Sequence, residues 1–359
     1  MWALATLGFG LTPNPDHAMN NYLVLQSDDP TGDRKLMLKT VDTVQKAYKN
    51  QIRYAKSQEM NNIAWSLARL LEESNPEVDE LLTGIGVAMS NPRKRVSSQD
   101  VGMTLWSLAT IGFDDIGIYR SIASRIAGID ATRCKPQELS NSCWALATAD
   151  FDSDSILDKD AFDTTLIREG KLPAVSDPIT RCFGIAAEQL MRRPFQFKSQ
   201  EIKDILWGFS RIGIRHPQLF RSIAIHIVGE NDEDSTSRGL SEFSSQGVGN
   251  MAWAFARQAQ LVDEVSSRMR GSLRTNNKNG RLAVYTTSYF DVGEKLLQRL
   301  FVAITENGMR NHNELSILSP QDVSNMVCLK TNLWVNNQYK YFLPTFLKFP
   351  RPGRLLSWA

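Results

Sequence analysis

The chain contains the segment SQEMNNIAWSLARL at residues 57–70, and this segment decides the fold because its pattern returns along the chain. Five further segments align with it, namely SQDVGMTLWSLATI (98–111), PQELSNSCWALATA (136–149), SQEIKDILWGFSRI (199–212), SQGVGNMAWAFARQ (245–258) and PQDVSNMVCLKTNL (320–333). Each has a glutamine seven residues before one fixed slot, the reference position, which is occupied by Trp65, Trp106, Trp144, Trp207, Trp253 and Cys328. Recurrence of this kind indicates a repeat protein.

The spacing of the reference positions predicts the architecture. Trp65, Trp106 and Trp144 are 41 and 38 residues apart, which is the period of a repeat built from two helices. We therefore predict an all-α fold, an α-solenoid of about six to seven helical hairpins of roughly 38–40 residues that forms a single array over 1–359. The string at Trp2 matches only the second half of a unit, so we expect an array truncated in mid-repeat. Longer spacings predict loop-like insertions at about 10–40, 152–175 and 272–291.

Within a unit, apolar residues at positions minus five, minus one and plus two from the reference position are spaced by three and four. This spacing predicts an amphipathic first helix with one buried face. Because apolar residues flank the tryptophans along the helix, we also assign the tryptophans to the core. The glutamine at minus seven is interpreted as a structural contact between the helix start and the preceding repeat.

The ends of the helices are also visible in the sequence. Ser97 and Asp100 are spaced as a capping box, whereas Lys56, Lys135 and Lys198 lack the hydroxyl and leave only an acid three residues later. Glycine followed by an apolar residue ends the helix at Gly112 and at Gly213. Second helices are predicted from apolar strings around 81–82, 118–123, 183–190, 219–224, 265–273 and 296–304.

If the tryptophan face is buried, the solvent side consists of positions minus four, minus three, plus one and plus four. Amides can donate to and accept from a base edge, arginine can pair with phosphate or stack on a base, and small residues at plus one leave room for a base. The RNA-binding candidates are therefore Asn62, Asn141, Asn250 and Asn325 at minus three, and Arg69, Arg211 and Arg257 at plus four. The alternative is that the asparagines bond the backbone between repeats and the arginines are simply solvated.

Basic residues also recur in the joints that precede several first helices. Together they would contact phosphates in a salt-dependent manner, although a charge run can equally be a solvated loop. The net charge of +2 does not decide between these readings. The candidates in the joints are Arg93, Arg95, Arg192 and Arg193.

Other classes of function have little support in the sequence. The histidines have no metal-ligand spacing, and no nucleophile elbow, P-loop or dinucleotide fingerprint is present, so we expect neither an enzyme nor a cofactor nor a metal site. The four cysteines have no CxxC spacing, which favours buried free thiols. No run of about 18 apolar residues and no secretory signal is present, so we do not expect a membrane partner.

The string Ser/Pro, Gln, Asp/Glu, apolar, then Asn and Trp, Ala/Ser, Leu, Ala resembles the octotricopeptide repeat and the related arrays of RAP-domain and FAST-kinase-like proteins. The segments at 139–151 and 251–258 carry this resemblance most strongly. It implies an α-solenoid that acts on RNA in mitochondria or chloroplasts, where such proteins steer the stability, processing or translation of transcripts. Neither a PPPEW-type element nor a RAP-like segment is visible.

Residues and resemblance together predict an RNA-binding helical-repeat protein whose partner is single-stranded RNA. The alternative is a scaffold for protein–protein interactions without RNA binding, because solenoids also present such surfaces to peptides and subunits. A basic surface along the stacked helices would favour RNA over a protein partner.

Overall fold

The computed structural model describes residues 39–40, 42–44, 46–47, 51–71, 76–129, 131–149, 159, 161–162, 175–229, 239–276, 296, 299–300 and 302–304. Within these residues the chain is helical and contains no strand. The helices of the array are α1 (Ser57–Leu70), α2 (Pro76–Ser90), α3 (Ser98–Thr110), α4 (Ile116–Ala127), α5 (Pro136–Thr148), α6 (Pro178–Arg192), α7 (Ser199–Arg211), α8 (Pro217–Val228) and α9 (Ser245–Asn276). Short 3-10 turns at Ile52–Tyr54, Ala131–Arg133 and Pro194–Gln196 precede α1, α5 and α7.

These helices stack in two layers. The first helices α1, α3, α5, α7 and α9 carry the reference positions, and each packs against the next. The second helices α2, α4, α6 and α8 form the other layer in the same order. Sequential stacking of helical hairpins confirms the predicted all-α, α-solenoid character of the chain.

One continuous apolar core lies between the two layers. Residues at minus five, minus one and plus two supply it from the first helices, as Val101, Leu105 and Leu108 do in α3, where all three are fully buried. Aromatic rings fill the centre around Phe209, which lies edge-on to Phe183 at a centroid distance of 4.9 Å. The buried face of the first helix is therefore the predicted one.

The predicted helix starts are present. Asp100 donates its backbone N–H to Ser97 Oγ at 3.1 Å, and Ser97 donates its own to Asp100 Oδ2 at 3.0 Å, which completes a capping box. In the units that begin with lysine the acid forms the same return bond, since Glu59, Glu138 and Glu201 accept from the lysine N–H at 2.9, 2.8 and 2.7 Å. The acid thus satisfies a backbone donor as well as favouring the positive helix end.

Two first helices end as predicted at a glycine with positive φ. Gly112 and Gly213 have φ values of 76° and 77°. The next residue in each case, Phe113 or Ile214, donates its N–H to a carbonyl five residues back at 3.0 Å. A left-handed residue followed by this bond is the Schellman ending, which turns the chain toward the second helix.

The α9 helix differs from the prediction. It runs without interruption over Ser245–Asn276, so the predicted second helix at 265–273 belongs to the same helix as Trp253, and the first residues of the predicted insertion 272–291 are helical. Ala259 occupies the position of Gly112 and Gly213, six residues after the tryptophan, but α1 and α5 end without a glycine there, so this position alone does not explain the continuation. Most of the predicted insertions 10–40 and 152–175, and the unit around Cys328, lie outside the described residues.

Positions minus four and plus one also differ from the prediction, because they lie between neighbouring first helices. A Cβ on Gly102, at minus four, would be 3.0 Å from the carbonyl oxygen of Glu138 in the next first helix. A Cβ on Gly208, at plus one, would be 3.1 Å from the carbonyl oxygen of Cys143 in the preceding one. These small residues admit the neighbouring backbone, so they are not part of the solvent side.

His216 precedes α8 and caps it. The imidazole Nδ1 accepts the N–H of Leu219 at 3.2 Å, which requires an unprotonated nitrogen. The ring is buried and stacks on Phe162 at a centroid distance of 5.0 Å. Burial lowers the pKa of His216 from 6.5 to about 4.

Acidification below pH 6.5 is therefore expected to destabilise the fold through His216. The pKa of His216 is lower in the folded state than in the unfolded state. Between pH 6.5 and 4, His216 is therefore protonated in the unfolded chain but remains neutral in the folded chain. The free energy of unfolding should fall by up to about 1.4 kcal/mol per pH unit in this window and stay constant above it. Urea unfolding between pH 7.5 and 4.5 measures this slope.

The control for this prediction is His216→Asn, because asparagine keeps a capping acceptor but does not titrate. The variant loses ring packing and starts from a lower stability, so the slopes are compared and not the midpoints. A steeper fall in the wild type assigns the difference to His216. Equal slopes in the two proteins would contradict the assignment.

Candidate nucleic-acid interface

The tryptophans at the reference position are only partly buried, whereas the prediction assigned them to the core. Each of the five described ones is half-buried, and four of them pack against the core. Their apolar neighbours at minus one and plus two point inward, whereas the indole lies at the border between core and solvent. The described tryptophans are Trp65, Trp106, Trp144, Trp207 and Trp253.

Four positions of each first helix, minus seven, minus three, zero and plus four, form the line nearest to solvent, which we call the stripe. All of them are exposed or half-buried except Asp204 in α7, which is buried. Intervals of four, three and four keep these positions on one face of a helix. In α1 the stripe consists of Gln58, Asn62, Trp65 and Arg69. The same four positions recur in α3, α5, α7 and α9.

The glutamines at minus seven begin the stripe. All five described ones are exposed, and within the described residues their side chains form no hydrogen bond. The predicted structural contact with the preceding repeat is therefore wrong for these units. The glutamines are Gln58, Gln99, Gln137, Gln200 and Gln246.

Neighbouring stripes form one surface across the layer of first helices. The rings of Trp106 and Trp144 approach to a centroid distance of 6.5 Å with an interplanar angle of 31°. In α1 the guanidinium of Arg69 lies over the ring of Trp65, 5.6 Å from its centroid. A cation above an indole is attracted to its π-face, so this arginine is held on the stripe.

The structure brings most of the predicted RNA-binding residues onto the stripe. Of the six described candidates, which are three asparagines and three arginines, Arg211 is exposed and the other five are half-buried. Arg257 donates from Nη1 to Gln260 Oε1 at 3.4 Å. Asn325 lies outside the described residues. Sequence reasoning missed the glutamine and the tryptophan, although their distance of seven residues already places them on one helix face. The residues brought together are Asn62, Asn141, Asn250, Arg69, Arg211 and Arg257.

The units differ at plus four. Arginine occupies this position in α1, α7 and α9, whereas Thr110 and Thr148 occupy it in α3 and α5. The hydroxyls of both threonines are buried without a hydrogen-bond partner among the described residues. The middle of the surface is thus uncharged and aromatic, and its two ends are cationic.

The predicted arginines of the joints lie at the edge where the first helices begin and not on the stripe. Arg93 and Arg95 are exposed in the turn before α3, and Arg93 borders an open, mostly apolar cavity of about 500 Å³ next to Val87. Arg192 is paired with Glu188 at 2.9 Å, and Arg193 donates to Gln189 Oε1. The pair Arg93 and Arg95 is therefore the more available for a phosphate.

Other kinds of site are not formed by the described residues. Among them, no three His, Cys, Asp or Glu side chains are arranged to hold a metal ion. No helix in the described ranges has the length and apolar character needed to cross a membrane. Cys134, Cys143 and Cys182 are buried and form no disulfide among the described residues.

Comparison with known proteins does not identify a family. No protein-family model matches the chain, and no curated protein matches it. Function must therefore be inferred from the chemistry of the stripe.

Proposed function

We propose that the chain is an RNA-binding helical-repeat protein and that the stripe is its contact surface for single-stranded RNA. The recurrence of exposed polar residues supports this proposal best. A glutamine without a hydrogen bond among the described residues returns at the same exposed position in five units, and packing gives no reason for it. A ligand that runs across successive helices gives such a reason, because it meets the same position in every unit.

The side chains of the stripe have the chemistry that single-stranded RNA requires. A partly exposed indole can stack with an unpaired base, and such stacking contributes about 1–3 kcal/mol per base. Amides at minus three and minus seven can donate to and accept from a base edge. Arginine at plus four pairs with phosphate. Duplex RNA fits less well, since its bases are already stacked and its major groove is too narrow for side chains.

We further propose that the protein acts in mitochondria or chloroplasts, on the stability, processing or translation of transcripts. The resemblance of the repeat segments to octotricopeptide and RAP-domain arrays supports this part of the proposal. In this role the chain is an adaptor that binds RNA, and we assign it no catalysis. Protein partners would bring any processing activity.

Binding to a randomised pool of single-stranded RNA at several salt concentrations tests the proposal, with duplex RNA of the same length as the comparison. We expect sequence enrichment, preference for the single strand, affinity that falls with salt, and quenching of tryptophan fluorescence. Absence of binding at low salt would overturn the proposal. It would favour the scaffold alternative, in which the tryptophans and arginines receive a peptide.

A further inference from the structure

Two of the five described units lack asparagine at minus three, since α3 has Met103 there and α7 has an acidic residue. Asn62, Asn141 and Asn250 place an amide there, whereas α7 places the carboxylate of Asp204. Its Oδ1 is 2.6 Å from Lys203 Nζ. Its Oδ2 has no hydrogen-bond partner among the described residues. The fourth stripe therefore has a mostly buried carboxylate, with one oxygen that forms no hydrogen bond among the described residues, where the stripes of α5 and α9 have an amide.

This difference changes what the stripe can recognise. An amide offers both a donor and an acceptor, but an ionised carboxylate only accepts. The Asp204 side chain is 13% exposed, so its free oxygen is largely shielded from water. Burial raises the pKa of Asp204, whereas the adjoining ammonium of Lys203 opposes that rise and favours the ionised form. When an acceptor is shielded from water and has no hydrogen-bond partner, a hydrogen bond from a ligand donor stabilises the complex more than it would at an exposed acceptor.

We propose that Asp204 determines base specificity at one position of the bound RNA, where it selects a base with an amino group and rejects uracil. Adenine, cytosine and guanine each carry an exocyclic amino group that can donate to Oδ2. Uracil has no amino group and offers only its N3–H, and the carbonyl oxygens on both sides of that N–H face the carboxylate as like partial charges, so uracil is the weakest partner. This inference rests on the proposed function, since it assigns a role to one residue of the RNA-binding surface.

A matched exchange between neighbouring units tests this role. Helices α5 and α7 are adjacent in the layer of first helices, so Asn141 and Asp204 lie at equivalent positions on neighbouring stripes. Selection from a randomised single-stranded pool is compared for the wild type, Asp204→Asn, Asn141→Asp and the double exchange. In the wild type, uridine should be depleted about tenfold at one position. Asp204→Asn should abolish that depletion, and the double exchange should move it by one unit along the RNA.

Asn141→Asp provides a test that does not alter Asp204. It should add a second uridine-depleted position beside the first, even if Asp204→Asn proves unstable in a thermal melt. A uniform change in affinity for all RNAs, with the base preferences unchanged, would show that Asp204 acts through packing or charge and would overturn the inference. Failure of the wild type to bind any pool would instead overturn the proposed function.

Discussion

Replacing Arg69, Arg211 and Arg257 together with alanine is expected to lower the affinity for single-stranded RNA about 100-fold, because each lost charged contact costs about 1 kcal/mol or slightly more. These arginines are the cations of the stripe in α1, α7 and α9. Each neutralised phosphate contributes about 0.7 to the slope of log affinity against log salt, so the slope should decrease by about 2. Fluorescence anisotropy titrations at four salt concentrations measure both quantities.

Two single-residue variants distinguish RNA contacts at the stripe from general electrostatic attraction to the protein. Arg211 and Arg181 are both exposed, but Arg211 ends a first helix whereas Arg181 lies in α6 of the second layer. Both alanine variants remove the same charge. We expect Arg211→Ala to weaken binding several-fold and Arg181→Ala to change it less than about twofold. Equal losses would show that RNA is attracted by net charge and not by the stripe.

Truncation of Phe209 to alanine is expected to lower the free energy of unfolding by about 3–5 kcal/mol, the usual cost of removing a buried phenylalanine ring. Phe209 lies in α7 and is fully buried. Its ring contacts Phe183 of α6 at 4.9 Å and His216, just before α8, at 5.6 Å between centroids. The cavity left by the truncation would therefore remove contacts that α7 makes with α6 and with the start of α8. Urea unfolding followed by circular dichroism measures the loss.

Phe195 is the matched control for this truncation. It has the same side chain but is 69% exposed, and its described ring contact is with His226. Phe195→Ala should cost less than about 1 kcal/mol. Because a repeat array opens locally, hydrogen exchange should increase for Phe209→Ala in α6 to α8 and much less in α1. Similar losses in the two variants would contradict the packing described around Phe209.

The sequence was sufficient for features that depend on a few consecutive residues. The capping box at Ser97 and the Schellman endings at Gly112 and Gly213 are set by local backbone chemistry, and all are present. Apolar spacing correctly gave the buried face of each first helix.

The sequence was not sufficient for the border of the buried face. A helix in a solenoid is covered on three sides, by the second layer and by two neighbouring first helices, whereas periodicity describes one apolar face. Periodicity therefore places Gly102 and Gly208 on the solvent side, although the backbone of a neighbouring first helix covers them. When these two positions are excluded, the solvent-facing line of each first helix passes through the half-buried tryptophan instead. This part of the candidate site required the packing of whole helices.

The glycines between first helices also determine the distance between neighbouring stripes. A Cβ at Gly102 or Gly208 would lie only 3.0 or 3.1 Å from the neighbouring carbonyl oxygen, so the backbones of adjacent first helices approach closely. Backbone atoms cannot change rotamer, and the interval between successive stripes is therefore nearly incompressible. If the stripe binds single-stranded RNA as proposed, the RNA must adapt its nucleotide spacing to the fixed interval between the helices, and the number of units sets the length of RNA that is bound.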